Sequence, residues 1–273
     1  LHVRSRRQRQ MCIRDSVFSP QECRHSTLYM EKRAVQGEPT VFSETFEYTS
    51  CGEWHNLRAE DVLPYDTTAA LYKEYTAERE KHIVFSPRLR ELAAKLTAGE
   101  TNPYLKAKRI FRWINDHFPW ASAREYSTIE NIPEYVLDNR HGDCGQVSLL
   151  FITLCRISGI PAHFQSGFMM HPRAWNLHDW AEVYFEGVGW VPVDQSFGIP
   201  AFARNADEEY FFLGGIDSWR MIVNTDYGMP LVPEKKYPRS ETVDFQRGEV
   251  EWEGGNLYFP QWSYHMDIDY LNY

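Results

Sequence analysis

The 273-residue chain lacks any hydrophobic run long enough to cross a membrane, since no stretch approaches the ~18 uninterrupted apolar residues of a transmembrane helix. It has no internal repeat and no low-complexity tract. Cysteine is scarce, with five residues, and no two of them form a Cys-x-x-Cys pair, so zinc-ribbon and thioredoxin-type sites lack their signature. Hydrophobic and aromatic residues, at 43% and 15%, are sufficient for a sizeable core.

Residues 1–16 differ from the rest of the chain. They carry five Arg against one Asp and have no periodic apolar pattern. A basic arm for nucleic acid is one interpretation. We favour another, that the segment is not native, because RQRQMCIRDS resembles a translated adapter sequence that contaminates assembled metagenomic genes. The natural N-terminus would then be missing, which leaves the compartment open.

Without that segment the chain is strongly acidic. Lys and Arg fall from 29 to 24 and Asp and Glu from 38 to 37, which changes the net charge from −9 to −13. Such a charge disfavours phosphate backbones and anionic membrane surfaces. We therefore expect neither nucleic acid nor membrane insertion, and the oligomeric state stays open.

Helical signals dominate the first half of the chain. One helix is predicted to open at Asp66 or Thr67, and Ser86-Pro87 and Asn102-Pro103 each pair an N-cap with Pro at the first helical position. Residues 120–143 are predicted to form a loop. A helix that is apolar on nearly all sides follows and ends near Gly159, which is typical of a central buried helix.

Strand signals dominate the second half. AHFQSGFM, HDWAEVYFE and GWVPVD are predicted strands, and EVEWEGGNLYF suggests two more around a Gly-Gly turn. Short strands are also expected over residues 37–65, which alternate apolar and polar residues in places, as in VFSETFEY. This order of elements predicts an α+β fold. The expected divisions are a partial β-rich region over 17–65, a core domain over 66–205 and a β-rich extension over 206–273 packed on the core.

Cys144 heads the buried helix, in the sequence GDCG. Asp143 is a plausible N-cap, so the sulfur is expected near free backbone N–H groups and the positive end of the helix dipole, which favour a thiolate. Gly142 and Gly145 are expected to leave room for another molecule to approach. The alternative is an inert, buried cysteine, which is our interpretation of Cys155, eleven residues further along the same helix.

A nucleophilic thiol needs a base, and the base needs an orienting group. His178 begins a predicted strand, and Asp194 ends the next one. An odd-length loop between the strands would point both side chains to one face, whereas an even-length loop would separate them. On the first strand, one face would carry His178, Trp180, Glu182 and Tyr184, and the other Asp179, Ala181, Val183 and Phe185.

Cys144, His178 and Asp194 thus supply a thiol, an imidazole base and a carboxylate that orients the imidazole, the Cys/His/acid form of the catalytic triad. His163, His171 and His265 have no such pattern of partners. A zinc site built from the triad and His171 would need closely spaced ligand pairs, which are absent. We predict no metal and no cofactor.

These segments resemble the transglutaminase-like superfamily. Its pattern is a G-x-C helix ending in R-x-x-G-I-P-A-R, then H-x-W-x-E-V, then G-W-x-x-x-D. The resemblance covers roughly residues 100–200, with His163 where Arg is usual. The matching residues are Arg156, Gly159, Ile160, Pro161, Ala162, His178, Trp180, Glu182, Val183, Gly189, Trp190 and Asp194.

The resemblance implies a papain-like fold in which Cys144 is the nucleophile, His178 the general base and Asp194 its orienting partner. It implies acyl transfer or hydrolysis at protein or peptide amides through a thioester, and hydrolysis is favoured because many bacterial members of the superfamily are hydrolases. The calcium dependence of animal transglutaminases is not carried over, because no matching acidic site is identifiable. The alternative is a catalytically silent fold used as a binding or scaffold module.

Further residues are candidates for the oxyanion hole, for an acceptor cleft and for a disulfide. The backbone N–H of Cys144 is the expected first oxyanion donor, and the indole N–H of Trp120 is a second candidate, unless Trp120 is a core residue. Met169, Met170, Trp175 and Trp180 either line an acceptor cleft or pack at its rim. Cys23 and Cys51 could pair in an exported protein.

Overall fold

The structure is a computed structural model that describes residues 16–122, 124–258 and 261–271. The segment interpreted as non-native lies outside the described residues except for Ser16. The helices are α1 (Ala70–Tyr75), α2 (Pro87–Leu96), α3 (Pro103–His117), α4 (Ile132–Asn139), α5 (Cys144–Ile157) and α6 (Ala206–Glu209), with 3₁₀ turns at Ala59–Asp61 and Tyr126–Thr128. The strands are β1 (Ser16–Phe18), β2 (Leu28–Met30), β3 (Glu53–Trp54), β4 (Ala162–Met169), β5 (Asn176–Phe185), β6 (Gly189–Val193), β7 (Gly215–Ile216), β8 (Arg220–Asn224), β9 (Val250–Trp252) and β10 (Gly255–Leu257).

The predicted helix starts are confirmed at α2 and α3. The side chains of Ser86 and Asn102 accept hydrogen bonds from the backbone N–H groups of Leu89 and Leu105, and Pro follows each cap. These bonds satisfy N–H groups that have no partner inside the helix.

The prediction of a continuous loop over residues 120–143 is wrong, because α4 lies within it. Asn131 caps this helix by accepting from the N–H of Glu134, and Pro133 occupies its first turn. Ile132 and Val136 on this short helix are fully buried, and α4 packs against α5. Burial of this apolar face stabilises a helix whose sequence also contains turn-forming residues.

The main sheet has four antiparallel strands in the order β6-β5-β4-β8. The α+β fold is therefore confirmed. The fourth strand, β8, comes from the region predicted to be a C-terminal extension. In the β5–β6 ladder, Ala181 faces Val193 and Phe185 faces Gly189, across an odd-length loop of residues 186–188. The register in which His178 and Asp194 share one face, as the triad requires, is confirmed. Continued by one residue, it sets Asp194 diagonally across from His178.

Helix α5 forms the centre of the molecule. Every residue from Gly145 to Arg156 is buried, as predicted for a central helix. It packs on α2, α3 and α4 and on β4 and β5. Because α5 is enclosed on these sides, it holds its first residue, Cys144, in a fixed position.

The regions flanking this core are mostly irregular. Of the short strands predicted over residues 37–65, β3 is present, whereas residues 41–46 form no strand. Val41 is largely exposed, so the alternation there has no core to pack against. Cys23 and Cys51 are free thiols. Within the described ranges, no helix has the length and apolarity needed to span a membrane.

Candidate active site

Cys144 is the first residue of α5, so its N–H is one of those left without an intrahelical partner. The Asp143 side chain accepts from the N–H of Gln146 at 3.1 Å, and the Gln146 side chain accepts from the N–H of Asp143 at 3.3 Å. This capping box fixes the loop that enters the helix. The Tyr126 hydroxyl donates to Asp143 at 2.6 Å and secures it from outside the helix.

The surroundings of the sulfur are negative. Cys144 is half-buried, and its Sγ donates a hydrogen bond to Oδ2 of Asp179 at 3.6 Å. Burial, and then the charges of Asp179 and Asp143, raise the pKa of the Cys144 thiol well above its usual value. This direction runs against the expectation that the helix N-terminus favours a thiolate, because burial first, and then the nearby carboxyl groups, favour the neutral thiol.

The two glycines beside Cys144 are enclosed by protein atoms. A Cβ on Gly145 would lie 2.5 Å from both Asp179 Oδ2 and the Tyr126 hydroxyl. A Cβ on Gly142 would lie 3.1 Å from the Gln146 side chain. The expectation that these glycines leave room for another molecule is wrong, since the space is used by the protein's own contacts.

His178 and Asp194 are in direct contact. His178 Nε2 lies 2.8 Å from Asp194 Oδ2, and both side chains are buried. The second carboxylate oxygen, Oδ1, accepts from the N–H groups of Ser196 and Phe197 at 3.2 and 3.1 Å. The carboxylate is therefore fixed at both oxygens, with one oxygen facing the imidazole.

Arg220 on β8 is a second partner of this carboxylate. Its Nη1 donates to Asp194 Oδ2 at 2.7 Å, while Nε and Nη2 donate to Asp217 at 3.0 and 2.7 Å. Burial alone would raise the pKa of Asp194, but His178 and Arg220 hold it well below its usual range. These two partners thus favour the charged form of Asp194 beside His178.

The C-terminal segment, residues 206–273, also reaches this site. Gln246 donates through Nε2 to the backbone carbonyl of His178 at 3.0 Å and to Oδ1 of Asp179 at 2.5 Å. The predicted extension therefore contacts two consecutive residues of β5. No chemistry could be assigned to that region from its sequence.

The structure brings two of the three predicted triad residues into contact. His178 and Asp194 are hydrogen-bonded, whereas the hydrogen bond of Cys144 goes to Asp179 and not to His178. The catalytic roles of the three residues stay predictions.

Trp120 lies beside the loop that precedes Cys144. Its backbone forms a parallel bridge with Gly142, and its side chain is 61% exposed. The interpretation of Trp120 as a core residue is therefore wrong. Its role as an oxyanion donor stays a prediction.

The remaining candidates are dispersed. His171 Nε2 lies 3.3 Å from Asp217, and no three His, Cys, Asp or Glu side chains of the described residues are arranged to hold a metal ion. Trp180 and Met170 are buried, whereas Trp175 is exposed. Trp180 donates to Gln165 at 2.5 Å, so it is a packing residue and not part of an open cleft.

Four residues around the site were missed at the level of sequence: Tyr126, Asp179, Arg220 and Gln246. Asp179 had a detectable signal, since the strand alternation sets this carboxylic acid on the same face as Ala181 and Val183. A carboxyl on a buried apolar face needs a partner. The others have no local pattern that distinguishes them from ordinary surface residues.

Comparison with known proteins identifies the domain that carries this site. Residues 90–195 match the family model of the Transglutaminase-like superfamily. Residues 90–195 thus form a transglutaminase-like domain. The match includes Cys144, His178 and Asp194 and ends before Arg220 and Gln246, so the transglutaminase-like domain is contacted by residues outside its own family pattern.

Two curated relatives match over part of their length. The uncharacterized protein YebA of Bacillus subtilis is 26% identical over 140 residues, which cover 44% of this chain and 19% of that protein. A protein-glutamine gamma-glutamyltransferase of Pseudomonas aeruginosa is 23% identical over 125 residues, which cover 42% of this chain and 19% of that protein. The aligned regions thus span about a fifth of the length of these relatives.

Solved structures show distant likeness. A provisionally named cysteine protease from Cytophaga hutchinsonii superposes with a TM-score of 0.45 and 22% identity, covering 60% of this chain and 50% of that one. The periplasmic domain of TgpA from Pseudomonas aeruginosa has a TM-score of 0.39 and 20% identity, covering 46% of this chain and 47% of that one.

Proposed function

We propose that the protein is a thiol enzyme that acts on protein or peptide amides through a thioester on Cys144. The observation that supports this most directly is the buried contact of 2.8 Å between His178 and Asp194, on the strands that pack beside the helix headed by Cys144. Such a contact orients an imidazole and stabilises its protonated form, which is what a general base requires.

In the proposed reaction, Cys144 Sγ attacks the amide carbonyl carbon and its proton passes to His178. The electron pair of the carbonyl bond moves to oxygen, where the N–H of Cys144 is the first donor. The intermediate then expels the amine, which takes the proton from His178 and leaves a thioester. Catalytic hydrogen bonds often tighten only when substrate is bound, so the present contact of Cys144 with Asp179 is compatible with this sequence.

Water or an amine can resolve the thioester. Water needs no binding site of its own to resolve the thioester, whereas an amine acceptor does. We therefore expect hydrolysis to dominate over cross-linking.

The experiment is incubation with a casein-like protein and a labelled primary amine, with peptide release and amine incorporation measured together. We expect Cys144→Ala to abolish both products while the melting temperature is retained. Cys51→Ala is the matched control, because Cys51 is an exposed free thiol, and it should retain wild-type activity. Full activity in the Cys144→Ala variant would contradict the proposal.

A non-catalytic binding module is the second candidate. One observation favours it, namely that the Cys144 thiol is hydrogen-bonded to Asp179 and not to His178. In that case neither product should form above the level of the Cys144→Ala variant.

A further inference from the structure

The contact of Cys144 with Asp179 is built into the fold. Asp179 follows His178 directly on β5, and alternation along the strand turns its side chain to the opposite face, toward α5. The absence of a side chain at Gly145 allows the carboxyl to approach the first turn of the helix, since a Cβ there would lie 2.5 Å from Oδ2. The carboxylate therefore lies against the reacting atom.

Asp179 is held in this position from two further directions. Gln246 of the C-terminal segment donates to Oδ1 at 2.5 Å. The Tyr126 hydroxyl lies 3.3 Å from Oδ2 and 2.6 Å from Asp143. Asp179 is 1% exposed, so water does not replace these partners.

The groups that face Asp179 and the sulfur are predominantly acidic. They are Asp143 and Tyr126 before α5, Asp194 after β6, and Asp244 of the C-terminal segment, which interacts in turn with Glu241 and Arg247. The cation among them, Arg247, is ion-paired with Glu241 at 3.2 Å and lies 3.6 Å from Glu125. Burial, followed by the charges of Asp244 and Asp143, also raises the pKa of Asp179.

We propose that Asp179 is a further catalytic residue, which accepts the hydrogen of the Cys144 thiol in the resting protein and keeps the sulfur neutral until a carbonyl is bound. The S–H bond then breaks as the S–C bond forms, and the proton passes to His178. This differs from a site that stores a preformed thiolate–imidazolium pair. The catalytic part of this inference rests on the proposed function, whereas the protonation state of the resting thiol is independent of it.

The protonation state is measured directly by thiolate absorbance near 240 nm, as the difference between the wild type and Cys144→Ala from pH 5 to pH 10. The alkylation rate of Cys144 by iodoacetamide, followed by mass spectrometry, is a second readout. We expect no thiolate at pH 7 in the wild type and a midpoint above the usual thiol pKa of about 8.5.

Asp179→Asn keeps the shape of the side chain and replaces a titratable carboxyl with an amide that carries no charge at any pH. We expect the midpoint to fall by about one pH unit or more, so that alkylation at pH 7.5 becomes about tenfold faster, because the thiolate is the reacting species. Glu182→Gln is the matched control, because it removes a carboxylate from the other face of the same strand, and it should retain the wild-type profile.

A thiolate signal in the wild type at pH 7 would overturn the inference, and so would a folded Asp179→Asn variant with an unchanged or raised midpoint. If Asp179→Asn does not fold, the wild-type absorbance decides alone. Failure of the casein assay would refute the proposed function and leave this titration unaffected, so the two failures are distinguishable.

Discussion

Replacing Arg220 with Met is expected to lower the free energy of unfolding and to make the protein more sensitive to acid. The guanidinium bridges Asp194 and Asp217, and its carbon Cζ lies 5.6 Å from the ring centre of Trp180 and 4.7 Å from that of Phe197. Met retains the apolar stem between these rings. The variant therefore isolates the loss of the charge.

The size of the expected loss in free energy of unfolding follows from the burial of the Arg220–Asp194 ion pair. Removing one partner of a buried ion pair costs about 3–5 kcal/mol, because the other charge is left uncompensated. Asp194 is fully buried, but it keeps His178 and two backbone donors, and Asp217 is partly exposed. We therefore expect a loss of about 3 kcal/mol, at the lower end of that range. Arg220→Lys should restore part of it, because a single ammonium does not form the same fork.

The contribution of Asp194 to the free energy of unfolding decreases as the pH falls. The pKa of Asp194 in the folded protein is below its unfolded value of about 3.9, so its contribution to stability is present above about pH 4 and is lost as the pH falls toward the folded pKa. Without Arg220 the folded pKa rises. The contribution of Asp194 should then be smaller and should be lost at a higher pH than in the wild type.

Urea denaturation at several pH values measures both effects. Arg88→Met is the control, because Arg88 forms a half-exposed ion pair with Asp138 at 2.6 Å, and such pairs contribute about 1 kcal/mol or less. Two results together would refute the assignment of Arg220 as the stabilising partner of Asp194. They are a loss in free energy of unfolding in Arg220→Met no larger than that in Arg88→Met, and an unchanged dependence of stability on pH below about pH 4.

Two further predictions concern buried groups. Burial lowers the pKa of His25 and of His82 to about 4, so the stability they contribute is present above about pH 6.5 and is lost as the pH falls toward 4. Between pH 7 and pH 4.5 we expect the free energy of unfolding to fall by about 2 kcal/mol per histidine. The double variant His25→Gln/His82→Gln should lack this fall when its denaturation is measured over the same pH range. The same fall in the double variant would contradict the prediction. Gly145→Ala should lower the free energy of unfolding by about 1–3 kcal/mol through overpacking. Gly52→Ala is the control, because its Cβ would have its nearest contact at 3.4 Å, and it should melt close to the wild type. Equal melting temperatures for the two variants would count against the close packing at Gly145.

Much of the fold could be predicted because its signals are local. Each of the N-caps Ser86, Asn102 and Asp143 lies within three residues of the N–H group it satisfies, so a short window of sequence contains the whole interaction. The relation between His178 and Asp194 was predictable for a similar reason. An odd-length loop between alternating strands sets which side chains share a face.

The weaker predictions failed where local signals are ambiguous. Residues 132–139 contain Pro and Asn, which also occur in turns, and only packing on α5 makes them a helix. Residues 41–46 alternate like a strand, but no neighbouring strand pairs with them in the described structure. Periodicity indicates a preference, and tertiary contacts decide whether it is realised.

The sequence by itself determined the type of domain and the helix that presents Cys144, and it made the shared face of His178 and Asp194 depend on the length of one loop. Only the tertiary structure decided what surrounds them. Arg220 lies 26 residues from Asp194, and Gln246 lies 68 residues from His178, and no periodic pattern operates over such separations. The charge state of a thiol depends on every group within a few ångströms of it. The acidic environment of Cys144 therefore became visible only when β5 was packed against α5 and the C-terminal segment against β5.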